Sequence, residues 1–422
     1  MTAILGLGFI ALLLINVPVS FALILASLAA ILYGGIPPAL VGQRMTAAID
    51  SFILLSIPFF LLAGHLMSKS GIARDIMNLA NATLGWMRGG LAHASIGGGT
   101  IMGGMTGSAV AEASSIGGVM IPEMVNKGFA RSFSAAVVAS GSLISVLIPP
   151  SVPLIIFGVV TGASVSRLFV GGLVPGLLMA ATLIAVAWLC SVGAGYPRGP
   201  KPQFASFLKA FRSSLWGLVM PVIIIGSIRY GIATPTEASV IAVAYALVVG
   251  MVVYRTIHVR DLPRIVLDAA ITTGIVMLLI AGATLYGLII TREQIPQQAA
   301  EMILQITTNP QILLLLILAL YLVAGAVLDL GAAIIILVPV LWPLTQKVGI
   351  DPVHFGIITV MGLAIGLITP PVGASLFISC GIARVNLLEG SKAVLPFVVA
   401  LAALTVLVIF VPAIATWLPS RM

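Results

Sequence analysis

Apolar segments follow one another along the whole chain, and this pattern restricts the possible folds more than any other feature of the sequence. Charged residues make up 8% of the 422 residues and hydrophobic residues 60%, whereas a soluble chain needs roughly a quarter of its residues to be charged. A membrane-spanning helix needs ~20 apolar residues, and many segments reach or approach that length. We therefore predict an all-α polytopic membrane protein whose solvent is lipid.

Several classes of function are disfavoured by the composition. The net charge of +8 comes from Lys and Arg scattered at the ends of apolar segments, as positive-inside topology expects, so it does not indicate a nucleic-acid partner. The histidines lack metal-ligand spacing and there is no Walker A motif, so we expect neither a metalloenzyme nor ATP hydrolysis, and no enzyme of another kind. Cys190 and Cys380 lie far apart and are expected to be inert. Because the first basic residue is Arg44, no cleavable signal peptide is expected.

An internal repeat becomes visible when the sequence is shifted on itself by 221 residues. Four of the five prolines between residues 104 and 175 then fall on another proline, and no gap is needed. The matched pairs are Gly104 and Gly325, Pro122 and Pro343, Gly128 and Gly349, Gly141 and Gly362, Pro149 and Pro370, Pro150 and Pro371, and Pro175 and Pro396. The flanking segments follow the same offset, with 18–34 matching 237–254, 50–68 matching 271–289, and 72–87 matching 295–308. We interpret this pattern as an internal duplication.

Each half contains two apolar arms around a turn of small residues, at 89–125 and at 310–347. At ~1.5 Å per residue each pair is too short for two full spans, and we interpret both as re-entrant helical hairpins. Each hairpin is followed by a long segment, 131–163 or 353–383, with a Pro-Pro pair at its middle. A proline pair cannot donate backbone hydrogen bonds, so the helix must open there. Because lipid does not tolerate open backbone, these breaks must line a cavity or a protein interface.

The basic residues orient the two halves. Clusters at 198–212 and 255–264 are both expected in the cytoplasm, with two crossings between them. The first hairpin then enters from the cytoplasm and the second from the periplasm, so the repeats are inverted, an architecture of secondary transporters. The predicted units are first-half scaffold helices and arm (1–88), first-half transport elements (89–194), a basic cytoplasmic loop (195–212), second-half scaffold helices and arm (213–309) and second-half transport elements (310–422).

Several motifs, in the right order, resemble the large membrane subunit of the TRAP (tripartite ATP-independent periplasmic) transporters. They are Gly104–Ala113 followed by Ile121–Met124, Leu147–Ser151, Gly231–Ala238 and Ile368–Gly373. The resemblance runs from about residue 17 to residue 410. One departure is Glu112, where the family more often has Asp.

The resemblance implies a Na⁺-coupled, elevator-type importer in the bacterial inner membrane. Such subunits pair with a small four-helix membrane subunit and receive small organic anions, such as carboxylates or sugar acids, from a periplasmic binding protein. Neither partner is encoded in these 422 residues. Two alternatives are a related sodium-coupled dicarboxylate-type carrier without a binding protein, and an anchoring or receptor protein without transport. The second alternative gives no reason for paired hairpins and breaks.

Oxygen atoms at broken helices are suitable Na⁺ ligands, and they define two predicted Na⁺ sites. The first site joins the turn of the first hairpin to the first break, through Gly104, Ser108, Ser145 and Pro149. An alternative for this turn is close helix packing, because Gly99, Gly103 and Gly107 have the spacing for it.

The second predicted Na⁺ site centres on Asp329, which the offset places opposite Ser108 at the tip of the second hairpin. An acid at membrane depth is a functional candidate by default, but Asp329 could also be a helix N-cap, or serve both roles. Gly366, Thr369 and Gly373 around the second break complete this site. Substrate is expected to bind at the same hairpin tips and breaks, through Ser108, Ala109, Ser151, Thr369 and Pro371.

The polar-striped segments 72–87 and 295–308 are predicted to be arms in the membrane interface. They would link a fixed scaffold to a moving transport domain, and the alternative is an ordinary short span inside the bundle. Glu237, near the start of a helix, is expected to complement the helix dipole.

Overall fold

The structure is a computed structural model that describes residues 1–201, 203–298 and 307–422. Every regular element in these ranges is a helix, as predicted. The helices of the first half are α1 (Thr2–Leu14), α2 (Val19–Tyr33), α3 (Ala39–Ile49), α4 (Ser56–Lys69), α5 (Ile72–Leu84), α6 (Gly90–Thr106), α7 (Ala109–Asn126), α8 (Arg131–Ser142), α9 (Val152–Thr161) and α10 (Val165–Gly193). Those of the second half are α11 (Phe204–Arg229), α12 (Pro235–Val248), α13 (Leu262–Arg292), α14 (Pro310–Gly325), α15 (Leu330–Lys347), α16 (Pro352–Gly366), α17 (Ala374–Ala383), α18 (Leu387–Phe410) and α19 (Ala413–Thr416).

Many helices begin where the sequence supplies a short polar side chain. The Asp351 carboxylate accepts hydrogen bonds from the backbone N–H groups of Val353 (2.8 Å) and His354 (3.1 Å) at the start of α16. Such caps satisfy backbone donors that have no partner inside the helix. At the start of α12, Thr234 and Glu237 form a reciprocal capping box. Glu237 therefore has the structural role predicted for it.

Six helices among the described residues are long and apolar enough to cross a membrane. Their exposed faces are apolar, as a surface in contact with lipid requires: Val222, Ile275 and Leu395 are each more than half exposed. The six are Val165–Gly193, Phe204–Arg229, Pro235–Val253, Val259–Arg292, Leu330–Lys347 and Leu387–Phe410. The chain is a multi-pass membrane protein. Leu330–Lys347 is one arm of the second hairpin, and the re-entrant course of that hairpin stays a prediction.

The helix boundaries repeat with the offset found in the sequence. Adding 221 to the limits of α7, 109 and 126, gives 330 and 347, the limits of α15. The packing is reciprocal as well: α7 packs against α17 and α15 against α9, while α2 packs against α13 and α12 against α4. Reciprocal contacts are what a two-fold relation between repeats produces. The inverted orientation of the repeats in the membrane stays a prediction.

Two predicted boundaries differ from the structure. The predicted loop 195–212 is shorter, because α11 begins at Phe204 rather than at residue 213. The rings of Phe204, Phe207 and Phe211 lie along one face of its first turns, with successive centroids 6.4 and 6.0 Å apart. A helix can extend past its apolar core when aromatic residues suit the interface, which a hydrophobicity boundary misses.

The other difference concerns the scaffold segment predicted at 50–68, in which the helix begins only at Ser56. In the second half the corresponding residues lie within the continuous helix α13. The first predicted arm, 72–87, contains α5, which packs against α6 and α11. The second predicted arm, 295–308, lies mostly outside the described residues.

We predict that Gly325→Ala destabilises the fold. A Cβ at this position would lie 2.7 Å from the Leu363 carbonyl oxygen and 3.3 Å from Gly366 Cα, and overpacking of this kind costs ~1–3 kcal/mol. Thermal unfolding of the purified chain in detergent measures the effect. Gly274→Ala, in the middle of α13 with no atom within 4 Å of the added Cβ, is the matched control. Equal melting temperatures for the two variants would contradict the predicted contact.

Candidate transport site

The tip of the first hairpin is a two-residue turn between α6 and α7. Gly107 takes a left-handed backbone conformation, φ +61°, which glycine adopts far more readily than residues with a Cβ. Ser108 follows as the N-cap of α7, and its Oγ accepts a hydrogen bond from the Ala111 N–H at 3.4 Å. The Ser108 hydroxyl is half-buried at the tip.

This tip lies directly against the first break, residues 147–151. A Cβ on Gly103 would lie 2.8 Å from Ser145 Cα, and a Cβ on Gly107 would overlap the Pro150 carbonyl oxygen. The glycines of this turn therefore allow close helix packing, which was the alternative to a Na⁺ site considered for them. The same packing brings together the two segments that carry the first predicted Na⁺ site, Gly104, Ser108, Ser145 and Pro149. Their role as ligands stays a prediction.

The side chain of Ser151 links the two sides of the first break by hydrogen bonds. The Ser151 hydroxyl donates to the Val146 carbonyl oxygen, and its oxygen accepts from the Leu154 N–H at 3.2 Å. It therefore bridges the last residue before the break to the first turn of α9. Because Ser151 is fully buried and has both of these bonds, its predicted contact with substrate requires the surrounding segments to move.

The second hairpin meets the second break, residues 367–373, through backbone contacts. A Cβ on Gly366 would overlap the backbone of Gly325, and the Val372 N–H donates to the Ala326 carbonyl oxygen at 3.2 Å. Gly373 ends the break in a left-handed conformation, φ +43°. The structure thus places Gly366, one residue of the second predicted Na⁺ site, against the end of α14, and Thr369 and Gly373 follow in the break.

Asp329 is the N-cap of α15. Its Oδ2 accepts a hydrogen bond from the Gly331 N–H at 3.0 Å, and the residue is exposed. Within the described residues no hydrogen bond joins its carboxylate to Gly366, Thr369 or Gly373. The cap role is therefore observed, and the role as a Na⁺ ligand stays a prediction.

The two hairpin tips differ in their surroundings although their sequences correspond. The scaffold covers the first: a Cβ on Gly64 of α4 would lie 3.3 Å from the Met105 carbonyl oxygen, and a Cβ on Gly104 would lie 3.0 Å from Pro221 Cγ of α11. At the second hairpin the tip and the break are exposed, at Asp329 and at Pro370–Val372. Of the predicted substrate residues, Pro371 is exposed, Ser108 and Thr369 are half-buried, and Ala109 and Ser151 are buried.

A cavity of about 480 Å³ separates the scaffold from the second hairpin. Its walls come from α13, α9 and α15, and α3 contributes Arg44, the single charged residue among those that line it. Arg44 is exposed and forms no ion pair in the part of the chain that the structure describes. Sequence reasoning did not identify Arg44 as a site residue, because its position depends on how α3 approaches the transport elements.

The cavity beside Arg44 contains none of the residues predicted to bind substrate. A larger cavity, of about 570 Å³, lies between α5 and the start of α11 and contains no residue of either hairpin or break. We therefore associate the cavity that contains Arg44, which contacts both α9 after the first break and α15 of the second hairpin, with the candidate site.

Comparisons with a family model and with individual relatives indicate the same family. Residues 7–414 match the family described as "Tripartite ATP-independent periplasmic transporter, DctM component". The isethionate TRAP transporter permease protein DctMQ of Oleidesulfovibrio alaskensis is 41% identical over 96% of this chain, and the chain spans 65% of that relative's length. The sialic acid TRAP transporter large permease protein SiaM of Vibrio cholerae is 38% identical, over 98% of this chain and 97% of the relative.

A solved structure shows the same fold. The YdaH transporter of Alcanivorax borkumensis superimposes with a TM-score of 0.63 over 90% of this chain and 88% of that chain, at 15% sequence identity. The two relatives named here are transporter permease proteins and not enzymes, as predicted for this chain.

We predict that Asp329→Asn and Asp329→Ala separate a ligand role from the cap role. Asn keeps the shape and the capping ability but removes the charge, whereas Ala also removes the cap, which costs ~0.5–2 kcal/mol. A ligand role predicts that Asn already raises the Na⁺ concentration for half-maximal uptake, with a normal melting temperature. Ser108→Ala should raise the Na⁺ requirement likewise.

The opposite pattern would show a cap alone. Asp329→Asn would then behave as the wild type, while Asp329→Ala would lower only the melting temperature. If Asp329→Asn and Ser108→Ala both keep wild-type Na⁺ dependence, the side-chain ligands are assigned wrongly and backbone carbonyl groups alone would have to hold the ions.

Proposed function

The chain belongs to the DctM component family of the tripartite ATP-independent periplasmic transporters, and we propose that it is the large membrane subunit of a Na⁺-coupled importer of small organic anions. We place it in the bacterial inner membrane. The observation that carries the coupling proposal is the pairing of each hairpin tip with a Pro-Pro break inside an apolar bundle.

This pairing supports a cation site for a physical reason. Prolines at 149–150 and 370–371 remove backbone donors, so carbonyl oxygens near the breaks lack their usual helical partners. Carbonyl and hydroxyl oxygens are hard ligands that suit alkali and alkaline-earth cations. The first break also lies against the turn that begins α7, so a helix N-terminus there can attract an anionic substrate. Cation and anion would thus bind close together.

The proposed substrate class is that of small organic anions. Two relatives are named for isethionate and for sialic acid, and both compounds are anionic at neutral pH. Arg44 supports this class, since it places a positive charge in the cavity beside the second hairpin. We infer that this cavity is a route by which the anion approaches the hairpin tips.

We further propose that this chain works with a small membrane subunit and a periplasmic binding protein. In the described residues, short links join the helices and no extramembrane segment is large enough to enclose a solute. A separate protein would therefore capture the substrate. The related carrier that works without a binding protein is the rival proposal, and the same uptake experiment distinguishes the two.

Transport would proceed by movement of the hairpins and broken helices against the scaffold. The reciprocal packing of α7 with α17 and of α15 with α9 holds these elements together as one unit, which is what an elevator-type movement requires. The exposed second tip and the covered first tip would exchange their accessibility during the cycle.

We predict that uptake requires an inward Na⁺ gradient and no ATP. The chain should be reconstituted in liposomes with the small subunit and the binding protein from its genomic neighbourhood, with Na⁺ outside and K⁺ inside. Replacing external Na⁺ with choline should abolish concentrative uptake, and omitting the binding protein should reduce it strongly. Equal uptake in choline would disprove the coupling, and strong uptake by the isolated chain would favour the rival carrier.

We predict that Arg44→Gln weakens the uptake of anionic substrate. One unit charge at ~4 Å in water is worth ~1 kcal/mol, or about fivefold in affinity, so the substrate concentration for half-maximal uptake should rise by about that factor. Arg44→Lys should keep most of the affinity. Arg292→Gln, an exposed arginine at the end of α13 outside the cavity, is the control. An unchanged concentration for Arg44→Gln would remove this residue from the route.

A further inference from the structure

The larger of the two cavities described above, of about 570 Å³, is a cleft between the arm helix α5 and the start of α11. The two helices are joined at one end of the cleft, where Ser214 Oγ donates to the Asp75 carbonyl oxygen at 2.8 Å. At the other end the chain that leads into α11 packs against the end of α5, because a Cβ on Gly199 would overlap the Gly85 carbonyl oxygen. The cleft is therefore bounded on two sides by helices and at both ends by backbone contacts.

The lining of this cleft carries more positive than negative charge. Lys201 and Lys209 line it, and neither forms an ion pair among the residues that the structure describes. Asp75 is the one acid in the described lining, and its Oδ2 already accepts the Tyr254 hydroxyl proton at 2.9 Å. The uncharged polar lining residues, which carry amide or hydroxyl groups, are Asn78, Asn81, Gln203, Ser206 and Ser213. An anion with several acceptor oxygens is the ligand that suits this lining.

The surface around the cleft is that of a membrane interface. Trp86 lines the cleft and is half exposed, while Phe204, Leu208 and Phe211 are exposed on the start of α11. Exposed aromatic side chains beside lysines are typical of the boundary between lipid and water. The predicted topology puts this boundary on the cytoplasmic side, where the leaflet contains anionic lipids and where basic pockets between helices bind lipid headgroups.

We propose that this cleft binds the headgroup of an anionic phospholipid, with Lys201 and Lys209 as the groups that hold its phosphate. Both ammonium groups donate charge-assisted hydrogen bonds to phosphate oxygens, and Trp86 offers an apolar surface to the start of the acyl chains. Because α5 packs against α6 of the first hairpin as well as against α11, a lipid in the cleft steadies the arm between the scaffold and the transport elements. Binding of this lipid therefore stabilises the folded chain.

The test is thermal unfolding of the purified full chain in detergent micelles, titrated with phosphatidylglycerol or with zwitterionic phosphatidylcholine at constant salt concentration. Phosphatidylglycerol should raise the melting temperature and phosphatidylcholine should not. One lysine near an anionic lipid surface is worth about fivefold in affinity, so Lys201→Gln and Lys209→Gln should each raise the half-maximal phosphatidylglycerol fraction by about that factor. Lys127→Gln, an exposed lysine at the end of α7 outside the cleft, should titrate as the wild type.

A further variant separates binding inside the cleft from attraction to surface charge. Ala82 is a half-buried lining residue, and Ala82→Trp would fill part of the cleft while leaving both lysines in place. This variant should weaken the response to phosphatidylglycerol at least as much as the loss of one lysine. Lys201→Arg and Lys209→Arg keep the charge and should retain most of the response. Melting temperatures without added lipid show whether each variant is folded.

Three results would overturn the proposal. A wild-type response in Ala82→Trp would show that the lysines attract lipid without a site in the cleft. Equal, lysine-dependent stabilisation by sn-glycerol 3-phosphate would show a site for a soluble phosphate ester instead of a lipid. Loss of the response when the small membrane subunit is purified together with the chain would show that this subunit occupies the cleft. A response to phosphatidylglycerol that only the cleft variants weaken, and that persists with the small subunit, supports the site.

Discussion

The need to satisfy every backbone polar group in a medium without water is the constraint on which this structure depends. Two Pro-Pro pairs open α-helical segments at their middle, and neighbouring residues satisfy backbone groups at both openings. At the first break Ser151 bridges the two helix ends. At the second break the Val372 N–H bonds across to Ala326 of the hairpin. The first hairpin thus covers a buried break, whereas the second hairpin supplies a hydrogen-bond acceptor to a break that stays exposed at Pro370–Val372.

Glycine residues at matched positions allow the hairpins to pack closely against the breaks. The contact of Gly325 with Gly366 joins backbone to backbone, and Gly103 allows Ser145 to approach α6 in a similar way. Close backbone approach in membranes is driven by van der Waals packing because lipid gives no hydrophobic drive between helices. The same closeness brings carbonyl and hydroxyl oxygens near one another inside the bundle, which is the environment that the proposed Na⁺ sites require.

The two repeats show how one sequence pattern can serve two environments. Their helix boundaries correspond and their packing is reciprocal, yet the first tip is covered by Gly64 and Pro221 of the scaffold while Asp329 of the second is exposed. In the proposed mechanism, this difference would give the two sides of the membrane unequal access to the two predicted sites. This difference between the repeats is the structural basis of our proposed alternating access.

The sequence by itself determined the lipid environment, the helical class, the 221-residue repeat and the positions of both hairpins and both breaks. These features follow from local rules: apolar segment length, the missing N–H of proline and the turn preferences of glycine and serine. The start of α11 escaped prediction because aromatic interfacial residues extend a helix beyond its apolar core. Only the tertiary structure decided which polar groups lie close together. It showed that Asp329 caps a helix, placed Arg44 in a cavity beside the second hairpin, and buried Glu112 completely inside the first hairpin. Such encounters join residues far apart in the chain, and their geometry depends on packing that no local pattern records.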